Sequence, residues 1–194
     1  YREGKVELQD LSPQLACAAL PLQAGAQVLD YCAGGGGKSL ALAARADIAL
    51  TAHDAAPVRM ADLPARAARA GIEIAIASQG QLGRDYDLVV VDVPCSGSGT
   101  WRRTPDAKWR LDRAGLDRLI RTQAGILRDV APMVRPGGHL AYMTCSLLAQ
   151  ENAGQIADFM RETAGFSQEF ERKWLSPQGS DGFYLSLLRR IGPH

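Results

Sequence analysis

Cysteine is scarce in this 194-residue chain. The four residues Cys17, Cys32, Cys95 and Cys145 lie far apart and form no C-x-x-C pair. That spacing argues against a disulfide scaffold and against a zinc site, and no metal is expected. Free thiols in a reducing cytoplasm are the better fit. Long apolar runs are also missing. Nothing approaches the ~20 residues of a membrane span, and the opening residues lack the charged-then-apolar pattern of an export signal, so no membrane association is expected. Surplus charge is absent too: 22 Lys and Arg against 21 Asp and Glu leave a formal net charge of +1. Without a global pull on nucleic acid, any such footprint must be local. There is no start methionine at Tyr1, which fits a trimmed chain or one domain of a longer protein. The remainder is of ordinary globular composition, without internal repeats. It is long enough for a single domain, residues 1–194, with a proper core.

What is present is organised around Val28-Leu29-Asp30-Tyr31-Cys32-Ala33-Gly34-Gly35-Gly36-Gly37-Lys38-Ser39. A short apolar run ending in Asp30 predicts a buried strand, and Leu40–Ala44 predicts a helix. Between them, four glycines allow a ligand to approach the backbone. A phosphate-binding P-loop would need glycine where Cys32 stands. A dinucleotide fingerprint fits loosely, with Gly34, Gly36 and the later acid Asp54. Alone, the loop does not name its ligand.

Taken in order, Leu11–Leu20 predicts a helix with Ser12 as N-cap and Pro13 at its first position. Cys17 on it reads as a small core residue. Strands are expected at 48–54, 72–77, 86–92, 139–144 and 182–190. Helices are expected at 57–70 (closed by Gly71), 115–133 and 150–163, with a turn at Pro136-Gly137-Gly138. Alternating strands and helices predict an open, mostly parallel α/β sheet. Ligands of such sheets lie outside the carboxyl ends of the strands. That rule gathers the glycine loop, Asp54, the segment near Ser78, the run after Asp92 and the run after Thr144 onto one rim.

Asp54 ends the second strand about twenty residues after the glycines, where a carboxylate accepts ribose hydroxyls. The bland reading makes it a helix cap. His53 beside it has no obvious partner and reads as structural. Asp92-Val93-Pro94-Cys95-Ser96-Gly97-Ser98-Gly99-Thr100 places an acid, a proline-fixed turn and a thiol at the end of the most buried strand. Trp101-Arg102-Arg103 and Lys108-Trp109-Arg110 follow, a mixture suited to the bases and phosphates of single-stranded or structured RNA. The alternative is a solvated basic loop with a Trp anchor. Thr144-Cys145-Ser146 ends the fifth strand. Two thiols, the Asp92 carboxylate and Lys38 on one rim suggest covalent chemistry on an electrophilic ring, with a thiolate as nucleophile.

These stretches resemble the catalytic domain of the RsmB/Sun-type RNA cytosine-5 methyltransferases. The likeness runs over Val28–Ser39, Tyr86–Arg103 with Pro105-Asp106 and Lys108-Trp109, and Pro136–Ser146 with Glu151-Asn152. Gln9-Asp10 and Asp181-Gly182-Phe183 match the ends, and the pairing of Pro94-Cys95 with Thr144-Cys145 is highly specific. The resemblance implies a Rossmann-like methyltransferase fold with a seven-stranded sheet and S-adenosyl-L-methionine as cofactor. The cofactor would be held by Cys32, Ala33, Gly34, Gly35, Gly36, Gly37 and Lys38, by Asp54 and Arg59 at the ribose, and by Ser78, Asp92 and Pro94. Cys145 would attack C6 of a cytosine, Cys95 would assist loss of the C5 proton and release, Asp92 would stabilise the adduct, and Lys38 would position the base. The base must be turned out of its stack to reach the pocket. RNA, by family default ribosomal RNA, would be the partner, met by Trp101, Arg102, Arg103 and Lys108. A monomer is expected.

The chain departs from the family pattern twice. Gly34-Gly35 replaces Ala-Pro, which should loosen the loop, and no acid follows the third strand, where Ser78 or Gln79 would substitute. An upstream RNA-binding region, common in the family, is not part of this sequence. Competing readings are a non-catalytic RNA-binding module, a nicotinamide-dependent oxidoreductase, and methylation of small molecules or protein. The oxidoreductase leaves both strand-end thiols without a role.

Overall fold

The computed structural model describes residues 1–175 and 179–192. Its strands are β1 (Gln27–Asp30), β2 (Ala49–Ala52), β3 (Ala75–Ile76), β4 (Tyr86–Asp92), β5 (Val134–Thr144), β6 (Phe166–Trp174) and β7 (Phe183–Arg190). They form one seven-stranded sheet in the order β3-β2-β1-β4-β5-β7-β6. The pairings from β3 to β5 are parallel, while β7 runs antiparallel to both β5 and β6. The helices are α1 (Leu11–Ala18), α2 (Gly37–Ala43), α3 (Leu63–Ala70), α4 (Ala107–Arg110), α5 (Arg113–Val130) and α6 (Ala153–Glu162).

Strand alternation sends successive side chains to opposite faces, and both faces are covered. Leu29, Val89, Val91, Leu140 and Tyr142 pack with Leu127 and Val130 of α5 and Ile156 and Phe159 of α6. Val28, Leu88, Val90, Ala141 and Met143 pack with Ala16 and Cys17 of α1 and Leu42 of α2. Cys17 is a core residue, its thiol pushed up to about 12 by burial.

Several expectations shift in detail. Asp10, not Ser12, caps α1: its carboxylate accepts the Ser12 N–H at 3.1 Å, and helix geometry already begins at Leu11. The Ser12 hydroxyl instead donates 2.7 Å across the fold to the Asp181 carbonyl, which is why it is buried. The helix expected at 57–70 breaks into a 3₁₀ turn at Pro57–Met60 and α3, with Gly71 closing it at φ 68° as expected. The helix expected at 150–163 likewise divides into a 3₁₀ turn, Ala149–Glu151, and α6. Pro136–Gly138 does not turn the chain out of the sheet. It is absorbed into β5 as an irregularity, where the register jumps from Tyr86↔Val134 to Leu88↔His139. A Cβ at Gly138 would come within 3.0 Å of three backbone carbonyl oxygens, so only glycine passes there. The short β3 replaces the longer strand expected at 72–77. The sheet's outer strand β6 lies in a stretch for which no strand was read. Its sequence FSQEFERKW is polar on its exposed face, as an edge strand's should be, and dilutes the apolar signal.

Candidate active site

Register brings the two cysteines together. Asp92 at the end of β4 pairs with Met143 near the end of β5, and Val93 N–H continues the ladder to the Met143 carbonyl. Cys95 and Cys145 leave the sheet just beyond, and their Sγ atoms lie 3.4 Å apart. The Cys145 thiol sits below its ordinary value, first because Cys95 S–H donates to it, with Lys38 adding attraction against burial and Asp92. Cys95 moves the opposite way, held protonated by that hydrogen bond and by burial. The pair therefore shares its hydrogen bond unequally, with Cys145 the more acidic of the two thiols.

Lys38, in the first turn of α2, reaches across to Asp92 with a 2.5 Å Nζ–Oδ2 contact and stands 5.4 Å over the Phe183 ring. Burial disfavours its charge, but Asp92 overrides that and the amine is raised above its usual value. Lys38 thus stays an ammonium whose charge favours ionisation of Cys145. Gly99 N–H donates to the Cys145 carbonyl at 2.9 Å, and Gly182 N–H to the Gly99 carbonyl at 2.9 Å, tying the loop after β4 to the start of β7.

The cofactor side is built around Asp54, buried at the end of β2. Its Oδ2 accepts Gly34 N–H at 3.0 Å and meets Arg59 at 3.2 Å, while Oδ1 accepts Ala56 N–H at 2.9 Å. Oδ1 retains a lone pair, and the half-exposed Arg59 can swing clear of Oδ2, so a diol can be accepted. Beside it lies a cavity of about 700 Å³ lined by Asp54, Met60, Ala77, Ser78 and Gln79 among others. That is room for a nucleoside, and the Asp54 carboxylate suits the diol of a ribose. Ser78 faces it, but its N–H and hydroxyl both go to Gln81 Oε1, and Gln79 is engaged by Tyr31. His53 has a partner after all, the Ala77 carbonyl at 3.0 Å.

Gly34 has φ 50° and Gly36 has φ 80°, backbone that other residues adopt only under strain; a Cβ on Gly36 would collide with Leu63. The loop is nonetheless braced. Arg66 of α3 donates to the Gly35 carbonyl and is itself held by Glu7, so the looseness expected from Gly34-Gly35 is countered from outside. Cys32 lies on the loop between strand and glycines, its thiol pushed up by burial and by neighbouring carboxylates. Ala33, Gly37 and Pro94 occupy the same rim, with Pro94 presenting its carbonyl to Gln123.

Of Trp101, Arg102, Arg103 and Lys108, the two arginines already have an anionic partner. Arg102 and Arg103 both grip Asp181, and Arg102 also donates to the Gly179 carbonyl. Lys108 is exposed and stacks over Trp109, which is 80% exposed. Sequence reasoning missed Asp181 as an anchor, and it noted Glu151 only as part of a matching stretch. Among the described residues no group of three or more His, Cys, Asp or Glu is placed to hold a metal, and no helix is long and apolar enough to cross a membrane.

A model of the family described as 16S rRNA methyltransferase RsmB/F matches residues 17–189. The chain belongs to that family. Ribosomal RNA small subunit methyltransferase B of Proteus mirabilis is 32% identical over 201 residues, covering 98% of this chain and 47% of that protein. The protein of the same name from Salmonella paratyphi B is 37% identical over 208 residues, covering 97% and 48%. The chain therefore spans about half the length of the curated relatives it matches. Among solved structures, PH0851 aligns with a TM-score of 0.89 at 28% identity over 96% of this chain and 47% of its own. NSun6 from Pyrococcus horikoshii, determined with SFG, also reaches 0.89, at 20% identity over 99% of this chain and 55% of its own. The latter likeness speaks for the fold alone, and the Rossmann-like methyltransferase architecture is the one expected.

Proposed function

We propose that this domain transfers a methyl group from S-adenosylmethionine to C5 of a cytosine in RNA, small-subunit ribosomal RNA by analogy with its relatives. The observation that carries the reading is the unequal thiol pair 3.4 Å apart beside Lys38 and Asp92. Bound at the glycine loop, the cofactor would supply an electrophilic methyl group; membership of a methyltransferase family supports that assignment. C5 of cytosine is a poor nucleophile until C6 is attacked. The Cys145 thiolate makes that attack and turns C5 into a carbanion-like centre. Asp92, held by Lys38, hydrogen-bonds the ring on the N3 and N4 side and stabilises the adduct. Lys38 helps to position the base. After transfer, Cys95, its own proton first given up to solvent, accepts the C5 proton, so that the C6–S bond breaks and Cys145 departs as a thiolate by elimination.

Asp54 and Arg59 serve the ribose and Ser78 the adenine side, with Cys32 to Gly37 enclosing the methionine portion. Lys108 and Trp109 offer an exposed cation and ring to RNA, while Arg102 and Arg103 are engaged by Asp181. The non-catalytic RNA module is disfavoured by the intact thiol pair, and an oxidoreductase would have no use for it.

The test is transfer from labelled S-adenosylmethionine to small-subunit ribosomal RNA. We expect label on cytosine C5 with the wild type and at least a thousandfold less with Cys145→Ala. With Cys95→Ala we expect a protein–RNA adduct that survives denaturing electrophoresis. Full activity in Cys145→Ala, or an adduct formed by that variant instead, would overturn the assignment of the two thiols.

A further inference from the structure

Glu151 is fully buried at the end of a 3₁₀ turn between β5 and α6, yet its charge faces no cation among the described residues. Its carboxylate is saturated by neutral donors from three separate elements. Oε1 accepts Ser96 N–H at 2.8 Å and Gln123 Nε2 at 3.0 Å; Oε2 accepts the Ser96 hydroxyl at 2.5 Å and the Ser146 hydroxyl at 2.5 Å. Ser96 follows Cys95 in the chain and Ser146 follows Cys145. One carboxylate thus holds the residues next to both thiols. Gln123 extends the hold by donating to the Pro94 carbonyl at 2.9 Å, and the Ser96 and Ser146 hydroxyls lie 3.2 Å apart.

Burying a carboxylate costs several kcal/mol unless its lone pairs are satisfied. Simple packing of two loops would be served as well by apolar side chains. What a carboxylate adds is an acceptor that takes two donors on each oxygen, in directions that fix both loops at once. We propose that Glu151 is a positioning residue whose task is to set the Cys95–Cys145 distance, so that Cys95 S–H points at Cys145 Sγ. The inference rests on the proposed roles of the two thiols, but its consequence for the thiols is measurable without RNA.

The groups that bear on Cys145 are Cys95, Lys38 and Asp92, with Arg103 further off; Glu151 and Tyr142 bear on Cys95. Glu151→Gln therefore gives two opposite expectations. Acting only through its charge, Glu151 disfavours a nearby thiolate, and its neutralisation would lower the pH at which Cys145 reacts. Acting by position, its replacement lets the Cys95 loop drift. Cys145 then loses the S–H that stabilises it, and the reaction moves to higher pH.

The measurement is the rate at which iodoacetamide alkylates Cys145, read by peptide mass spectrometry from pH 5 to 10 in the full chain. We expect the half-rise in Glu151→Gln to move up by about one pH unit, and in Cys95→Ala by a similar amount. The double variant should move no further than Cys95→Ala alone, because both changes remove the same interaction. Affinity for S-adenosylhomocysteine should stay within twofold, which certifies the fold. A downward or absent shift in Glu151→Gln, or shifts that add in the double variant, would overturn the proposal. Should Glu151→Gln fail to fold, Ser96→Ala removes one donor on the Cys95 side only. It should raise the half-rise by a few tenths of a unit, and an unmoved profile there also overturns the proposal. In the transfer assay, Glu151→Gln should lower kcat at least thirtyfold with an unchanged KM for the cofactor. If the wild type transfers nothing, the methylation reading fails while the alkylation profiles still decide the role of Glu151.

Discussion

Asp30 has one carboxylate oxygen with a partner and one without. Oδ2 accepts the Ser39 hydroxyl at 2.7 Å, while Oδ1 is buried and unpaired among the described residues. Burial raises its pKa from 3.8 to about 6. Between those values the native state holds a proton that the unfolded chain has released. This group therefore favours folding most below about pH 4 and loses that contribution as pH rises through 6. The loss amounts to about 3 kcal/mol. Asp30→Asn keeps an acceptor for Ser39 and discards the titration. We expect urea unfolding curves of the variant and the wild type to converge near pH 4. By pH 8 they should separate in the variant's favour, on the order of 2 kcal/mol; parallel curves across that range would show that Asp30 is not strained by its charge. Nothing in the spacing of Val28-Leu29-Asp30 announces this, because the burial of one oxygen depends on what α2 lays over it. Glu151 was equally hidden. Its partners Ser96, Gln123 and Ser146 are scattered over 50 residues, and only the β4–β5 register brings them together.

The brace formed by α3 belongs to the scale of elements. Arg66 ties the Gly35 carbonyl to this helix, and Glu7 of the N-terminal segment ties Arg66 in turn, with Arg69 beside it. A loop with two flexible residues in the middle is thereby held in one shape before the ligand arrives. Arg66→Met should leave the helix intact and the loop unbraced. We expect affinity for S-adenosylhomocysteine, measured by calorimetry, to fall about tenfold, equivalent to the ~1.4 kcal/mol of one charge-assisted hydrogen bond. An unchanged affinity would mean that Gly34, Asp54 and the start of α2 hold the loop unaided. The sequence suggested a loose loop because glycine content was visible and the brace, 31 residues away in α3, was not. Elements with a strong local signal were read well: β4 spans Tyr86–Asp92 as expected, and Gly71 ends α3. Those whose signal depends on partners were missed, as with β6, whose polar side faces outward at the sheet edge.

At the scale of the whole molecule, charge is nearly balanced, and much of the basic side is already engaged. Arg102 and Arg103 neutralise Asp181, and Arg135 pairs with Asp87. Among the described residues, an RNA substrate as proposed above would find those three arginines already engaged. We expect binding of single-stranded RNA to show a log–log salt slope of only about 2 to 3. Lys108→Ala should reduce it by a little under 1. Arg103→Ala should instead lower the unfolding temperature and leave the slope nearly unchanged, because its guanidinium secures Asp181. A slope fall with Arg103→Ala equal to that of Lys108→Ala would return Arg103 to the RNA-facing set. The rim on which the site lies was legible from strand order alone, since carboxyl ends of parallel strands collect ligands whatever the side chains. Which charges on that rim are free for a partner was not, because each depends on a neighbour from a distant part of the chain.

The strand that closes the sheet's right-hand half arrives out of turn. β7 lies between β5 and β6, yet it is made after both, and its first residues secure the loop that carries Cys95 through Gly182 and Gly99. Among the described residues, β6 has no pairing with β5 and joins the sheet only through Phe183–Arg190. One tie on the loop that carries Cys95, Gly182 N–H to the Gly99 carbonyl, stands at the head of that same strand. Cutting the chain before Gly182 would therefore remove β6 from the sheet and this tie in one stroke, while leaving Glu151 its hold on Ser96 and Ser146.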